Sequence, residues 1–163
     1  MVEKVNQEEK DLIYLDKSII SDGFIRIYSN EDKLDYDISI LEKKNYEVIV
    51  IDGEFITTKM ELMFDLEQKL KFPDYFGRNY DALIDCLIDY EIPNDRAVIV
   101  FRHLNNLDKE HITTLLDIFS NFSRSRIASD ERFLTLVQVK DRNFELSKPI
   151  GAVNFYLKNH MEN

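Results

Sequence analysis

Between Phe72 and Tyr90 the chain reads FPDYFGRNYDALIDCLIDY, and this stretch gathers the residues best able to act on another molecule. Asn79 is a good N-cap, so the spacing predicts a helix from Asn79 to about Asp89. At about 100° per residue, Asp81, Asp85 and Asp89 then share an arc of roughly 80°. Tyr80, Leu83 and Leu87 centre on the opposite, core-facing side. Ala82 and Cys86 flank one edge of the acidic arc, and Ile84 and Ile88 the other. Like charges at i, i+4 cost about 0.2–0.5 kcal/mol each. Asp81 recovers part of that from the dipole at the helix N-terminus, whereas Asp85 and Asp89 are too far along to benefit. Such a ridge is either the solvated face of an acidic protein or a surface that awaits a cationic one. Between Pro73 and Asp95 six acids stand against Arg78 alone, half the net charge of −10 carried by the whole chain. Tyr75 and Tyr90 lie outside the helix's core-facing side, and exposed tyrosine beside charge is the composition of an interface hot spot. Gly77, just before the N-cap, is expected to take a positive φ or to let a partner approach the backbone.

Other groupings point to less. Asp81 and Asp85 sit one turn apart with no third ligand in register, a poor start for a hard-cation site. His103 and His111 bracket a loop and would need a neighbouring Asp to act as acid–base catalysts. The chain supplies neither a nucleophile nor a glycine-rich phosphate loop beside them, so both read as structural. Cys86, near acids on a helix flank, should have a raised thiol pKa, which disfavours catalysis. His160 falls near a helix C-terminus, where a protonated imidazole is favourable. Met60 and Met63 read as core, and Ser123-Arg124-Ser125-Arg126 as a solvated helix cap. No catalytic residue, metal or cofactor is expected.

The elements that must hold the acidic stretch are legible on either side of it. Val48–Ile51, Ala97–Phe101 and Phe133–Val137 are continuous apolar runs, the pattern of parallel strands covered on both faces. Thr58 and Glu61 form a capping box, followed by Leu62, Leu66 and Leu70 as one buried stripe. Phe72-Pro73 should close that helix. A further helix starts near Asn106 or Asp108 and carries Ile112, Leu115, Leu116, Phe119 and Phe122. Crossovers of this length imply right-handed parallel connections, hence an α/β core of three strands packed with helices. Ahead of it, Gly23–Tyr28 reads as a strand and Leu34, Ile38 and Leu41 as a helix ending at Asn45. Behind it, Pro149 would open a short helix with Ile150, Val153 and Leu157 facing inward. The expected division is an N-terminal extension over 1–45, a core domain over 46–140 and a C-terminal extension over 141–163.

Composition narrows the class. The chain has 163 residues, with 21 Lys plus Arg against 31 Asp plus Glu. That balance argues against direct nucleic-acid binding, which draws on Lys and Arg to displace counterions. Its longest apolar run, Ala97–Phe101, is far short of the roughly 20 residues that span a bilayer, so no membrane partner is expected. The first eleven residues carry four acids and lack the pattern of a signal peptide. Cys86 is the sole cysteine, which excludes an intramolecular disulfide and suits a reducing cytoplasm.

Val48-Ile49-Val50-Ile51-Asp52-Gly53-Glu54, the helix begun by Thr58, and above all Pro73-x-Tyr75-x-Gly77-x-Asn79-x-Asp81-Ala82-Leu83 with Asp85 resemble the barstar family of intracellular inhibitors of barnase-type ribonucleases. The likeness runs from about Tyr46 to Lys140. It implies a small parallel sheet with helices, no catalytic activity, and a helix with its preceding loop that plugs the active site of a basic ribonuclease. The family's contacting aspartates fall on Asp81 and Asp85, the second in the phosphate-binding site. Its loop contacts fall on Tyr75, Gly77 and Asn79, and Ile84 and Tyr90 stand where the prototype has interface tryptophans. Arg78 departs from the family by replacing an acid, and Asn121 by being neutral. The resemblance therefore implies a cytoplasmic immunity protein, or antitoxin, of bacterial type, bound to a ribonuclease toxin. The apolar rim of Ile84 and Ile88 beside the acidic arc suits a heterologous partner, so the free protein is expected to be monomeric. The same scaffold on a non-ribonuclease toxin or in a regulatory complex is the alternative.

Overall fold

The computed structural model describes residues 4–151. Its centre is a four-stranded parallel sheet of β1 (Ile25–Tyr28), β2 (Glu47–Asp52), β3 (Arg96–Arg102) and β4 (Arg132–Gln138), in the order β1-β4-β3-β2. The three apolar runs form β2, β3 and β4, in a register that sets Ile51 beside Phe101 and Val98 beside Leu134. Their lack of alternation has a direct cause. Ala97, Ile99 and Phe101 pack into one apolar cluster, and Val98 and Val100 into another on the opposite face. A central parallel strand has no solvated side, so both of its side-chain rows must be apolar.

One face carries α3 (Lys59–Leu70), α4 (Tyr80–Ile88) and α5 (Lys109–Arg126). The expected stripes are buried there: Leu62, Leu66 and Leu70 on α3, Leu83 and Leu87 on α4, and Ile112, Leu115, Leu116, Phe119 and Phe122 on α5. The capping box forms as predicted, with Thr58 accepting from the Glu61 N–H. α3 ends earlier than Phe72-Pro73 would require. Lys71 adopts the left-handed conformation (φ 54°), and its N–H donates to the Glu67 carbonyl. Met63 is buried, but Met60 is exposed on the outer side of α3, which corrects its reading as core.

The other face is covered by α1 (Gln7–Ser21) and α2 (Glu31–Lys43). β1 and α2 occur where the sequence predicts a strand and a helix, and Asn45 takes the left-handed turn after α2 (φ 64°). α1 was not anticipated. Its signals are present in retrospect: Asn6 and Glu9 form a capping box, and Leu15 and Ile19 face the sheet. Asp16 on α1 is buried and held by Lys44 and by the Tyr46 hydroxyl at 3.0 Å. The helix expected from Pro149 falls almost wholly on residues 152–163, outside the described residues. Pro149–Gly151 are not helical, and Ile150 is buried.

Candidate functional site

Phe72 and Phe76 fix the loop before α4. Both rings are buried, 5.0 Å apart at their centroids, and the Phe76 N–H donates to the Pro73 carbonyl at 2.9 Å. With those two anchored inward, Tyr75 between them is turned out and is 80% exposed. Asn79 then starts α4, its Oδ1 accepting from the Ala82 N–H at 2.8 Å and its Nδ2 donating to the Gly77 carbonyl. Gly77 does not take a positive φ. The left-handed residue of this loop is Arg78 (φ 51°), and Gly77 is simply exposed, which corrects one of its two expected roles.

α4 is clamped at both ends. At its start the Tyr80 hydroxyl and His111 Nδ1 of α5 hydrogen-bond at 2.8 Å, and burial pushes the Tyr80 pKa up to about 12. At its end Arg126 Nη2 donates to the carbonyls of Leu87, Ile88 and Tyr90 at 2.8–3.0 Å, while its Nη1 pairs with Glu131 at 3.1 Å. The carbonyls at a helix C-terminus lack intrahelical donors and carry partial negative charge, so a guanidinium satisfies both needs at once. Arg126 was expected as a solvated cap of its own helix and instead caps its neighbour. His111 positions α4 as a structural residue. Both partnerships are non-local, 31 and 36–39 residues apart, so no local spacing reveals them.

So held, α4 buries Leu83 and Leu87 and exposes Asp81, Asp85 and Asp89, as its periodicity predicts. Among the described residues none of these three aspartates holds an ion pair or a side-chain hydrogen bond. Tyr75, Asp85, Asp89 and Tyr90 line a cleft of about 750 Å³. Tyr90 differs from expectation. Its ring stands edge-on to Phe72, Phe122 and Phe133, so it is a half-buried wall of that cleft, with its pKa raised by burial and by Glu47. The Cys86 thiol is likewise raised, by burial and then by the charges of Asp85 and Asp89. On the other flank, Ile84 and Ile88 border an apolar groove of about 310 Å³ shared with Ile118 and Asn121 of α5.

Arg78, the cation inside the acidic window, is directed away from it. Its guanidinium pairs with Glu67 of α3 at 2.9 Å and lies over the Phe64 ring at 5.6 Å. Glu67 is buried, so this pair is partly shielded from solvent and the positive charge is answered within the fold.

The profile of the family described as barstar (barnase inhibitor) matches residues 46–139, more than half of the chain. The chain belongs to the barstar family. The matched span runs from the start of β2 through β4 and so contains the whole of the loop and helix just described. A protein of Bacillus subtilis (strain 168) named "Putative ribonuclease inhibitor YrdF" is 56% identical over 71 residues, which is 43% of this chain and 78% of that protein. The family's description and the name of this relative both indicate an inhibitor rather than an enzyme. No helix among the described residues is long and apolar enough to cross a membrane.

Proposed function

We propose that this chain inhibits a basic ribonuclease by inserting Asp81 and Asp85 where the enzyme binds RNA phosphates, with Tyr75, Gly77, Asn79, Ile84 and Tyr90 forming the surrounding contact. Asp85, midway along α4, fills the phosphate subsite, and Asp81 flanks it. The observation that carries this reading is the row of exposed carboxylates, unpartnered among the described residues, on a helix clamped at both ends. A carboxylate is costly to bury unless charged partners and donors meet it, and a phosphate-binding site already supplies them. Pre-ordering by Arg126, His111 and the two phenylalanines reduces the conformational entropy lost on association. Arg78 does not oppose a cationic partner strongly, because Glu67 neutralises it. The contacts lie within residues 46–140, and the protein serves as a cytoplasmic immunity protein, monomeric until it meets its toxin.

Titration against barnase, as a representative basic ribonuclease, tests this. Asp85→Ala should weaken the complex by about 3–5 kcal/mol, since its loss strands buried cations of the enzyme, and Asp81→Ala by less. Equal affinities for the wild type and both variants would exclude the mechanism. The neutral Asn121 beside Ile84 favours a second reading, in which the same surface fits a toxin other than a ribonuclease. A folded wild-type chain that leaves barnase fully active would select it.

A further inference from the structure

Outside the acidic helix, the C-terminal ends of β2 and β3 bring together Asp52, Glu54 and His103, whose candidate ligand atoms all lie within 4.8 Å of one another. From this geometry we infer that the protein has a divalent-metal site of the zinc class, carried by the β2–α3 and β3–α5 loops. It does not rest on the inhibitor reading.

The donor set is the first argument. One imidazole with two carboxylates suits a borderline cation such as Zn²⁺, and the two negative charges balance the dication. Three protein ligands leave the remaining positions to water or to a group from another molecule. With tetrahedral bonds of about 2.0–2.2 Å, ligand atoms stand about 3.3–3.6 Å apart, so an approach of at most about 1.5 Å closes the site. Glu54 can provide it, because its carboxylate is exposed and makes no hydrogen bond among the described residues.

Backbone construction is the second. The Gly53 N–H donates to the Arg102 carbonyl at 2.6 Å, and Asn106 Nδ2 donates to the Glu54 carbonyl at 2.8 Å, so the two loops are stitched on either side of the ligands. A Cβ at Gly53 would fall 2.7 Å from Leu104 Cδ2 and 3.0 Å from the Arg102 carbonyl oxygen, and the close approach therefore requires glycine. His103 adopts a left-handed backbone (φ 54°) and directs its Nδ1 to within 3.0 Å of Asp52 Oδ1. Asp52 Oδ1 also accepts from the Glu54 N–H, which orients the carboxylate and leaves Oδ2 for an ion. Arg102, next to His103 in sequence, does not fill the site, because its guanidinium pairs with Glu31 and Asp35 of α2.

Isothermal titration of the full chain with Zn²⁺ tests the site directly, alongside thermal unfolding with and without the metal. The wild type should take up one Zn²⁺ per chain, at least about tenfold more tightly than Mg²⁺, which prefers all-oxygen sets. Because the ion joins two loops in the folded state only, it should also raise the unfolding temperature. His103→Asn suits the left-handed backbone yet removes the imidazole, and Asp52→Asn removes a charge. Each should weaken Zn²⁺ binding at least tenfold and abolish the thermal shift, with metal-free unfolding confirming that the variant folds. Absence of saturable Zn²⁺ uptake by the wild type would overturn the inference. So would loss of uptake on His160→Ala or Cys86→Ser with His103→Asn unaffected.

Discussion

Two glycines in this chain make opposite demands, and substituting them separates folding from binding. At Gly77 an added Cβ would meet only Ala82 Cβ and Asn79 Nδ2, each at 3.4 Å, and the backbone is outside the left-handed region. Gly77→Ala should therefore leave stability unchanged or raise it by up to about 1 kcal/mol, through a less disordered unfolded chain. If the loop backbone meets a partner as proposed, the same methyl group stands in the contact, and affinity should fall about tenfold at unaltered unfolding temperature. Gly53→Ala is the converse. Its methyl group collides with a backbone carbonyl and with Leu104, so it should cost about 1–3 kcal/mol in a urea titration. The sequence alone marked Gly77 as special, but the positive φ expected there falls on its neighbour Arg78. It could not tell that Arg78 would take the strained backbone, because that depends on Glu67, which reaches the guanidinium from another helix.

At the scale of elements, α4 depends on its neighbours. It is nine residues long, and isolated helices shorter than about 12 residues are marginal in water. Arg126 supplies what the helix lacks at its C-terminus. Arg126→Ala should destabilise the protein by about 2–3 kcal/mol and raise amide exchange most strongly in Leu83–Tyr90, since charged hydrogen bonds to three carbonyls are lost together. Arg126→Lys should restore less than half of this, a single ammonium being unable to span the same acceptors. On the opposite face, α1 is tied through Asp16 to the turn between α2 and β2. Burial works to raise the Asp16 pKa, but the hydrogen bond and charge of Lys44, with the Tyr46 hydroxyl, outweigh it and hold the group below its ordinary 3.8. The folded state thus binds this proton less readily than the unfolded state. The resulting stabilisation is complete above about pH 3.8 and is lost as pH falls through the lower folded value. Asp16→Asn should consequently be less stable than wild type at pH 7, with the difference shrinking as pH falls below 3.8, as read from urea midpoints.

For the whole molecule the governing quantity is a net charge of −10, half of it between Pro73 and Asp95. Charge concentrated beside a binding surface steers encounter with a cationic partner, and salt screens it over a Debye length of about 10 Å at 0.1 M. The association rate with a basic ribonuclease should fall steeply from 20 to 500 mM salt while the dissociation rate changes little; a salt-independent association rate would remove steering from the account. The fold adds a structural reason for this polarity. β1, outside the family match, completes the sheet edge beside β4, and α1 and α2 cover the face opposite α3–α5. This leaves α4 and its loop on the far layer, clear of the described N-terminal elements.

How much was legible follows from the range of the forces involved. Strands β2–β4, the Thr58 capping box, the Asn79 cap and the acidic arc of α4 are set by neighbours within a few residues, and each could be read from spacing. α1 was legible too, through Asn6, Glu9, Leu15 and Ile19, but the buried Asp16 interrupts its apolar face. The tertiary structure alone decided which side chains would be spent on the fold. Arg126 went to α4, Arg78 to Glu67, His111 to Tyr80 and Tyr90 to an aromatic wall, while Asp81, Asp85 and Asp89 gained no partner among the described residues. Charge and ring contacts of that kind join residues far apart in the chain. A one-dimensional pattern fixes the direction a side chain faces, but only packing in three dimensions determines what it meets there.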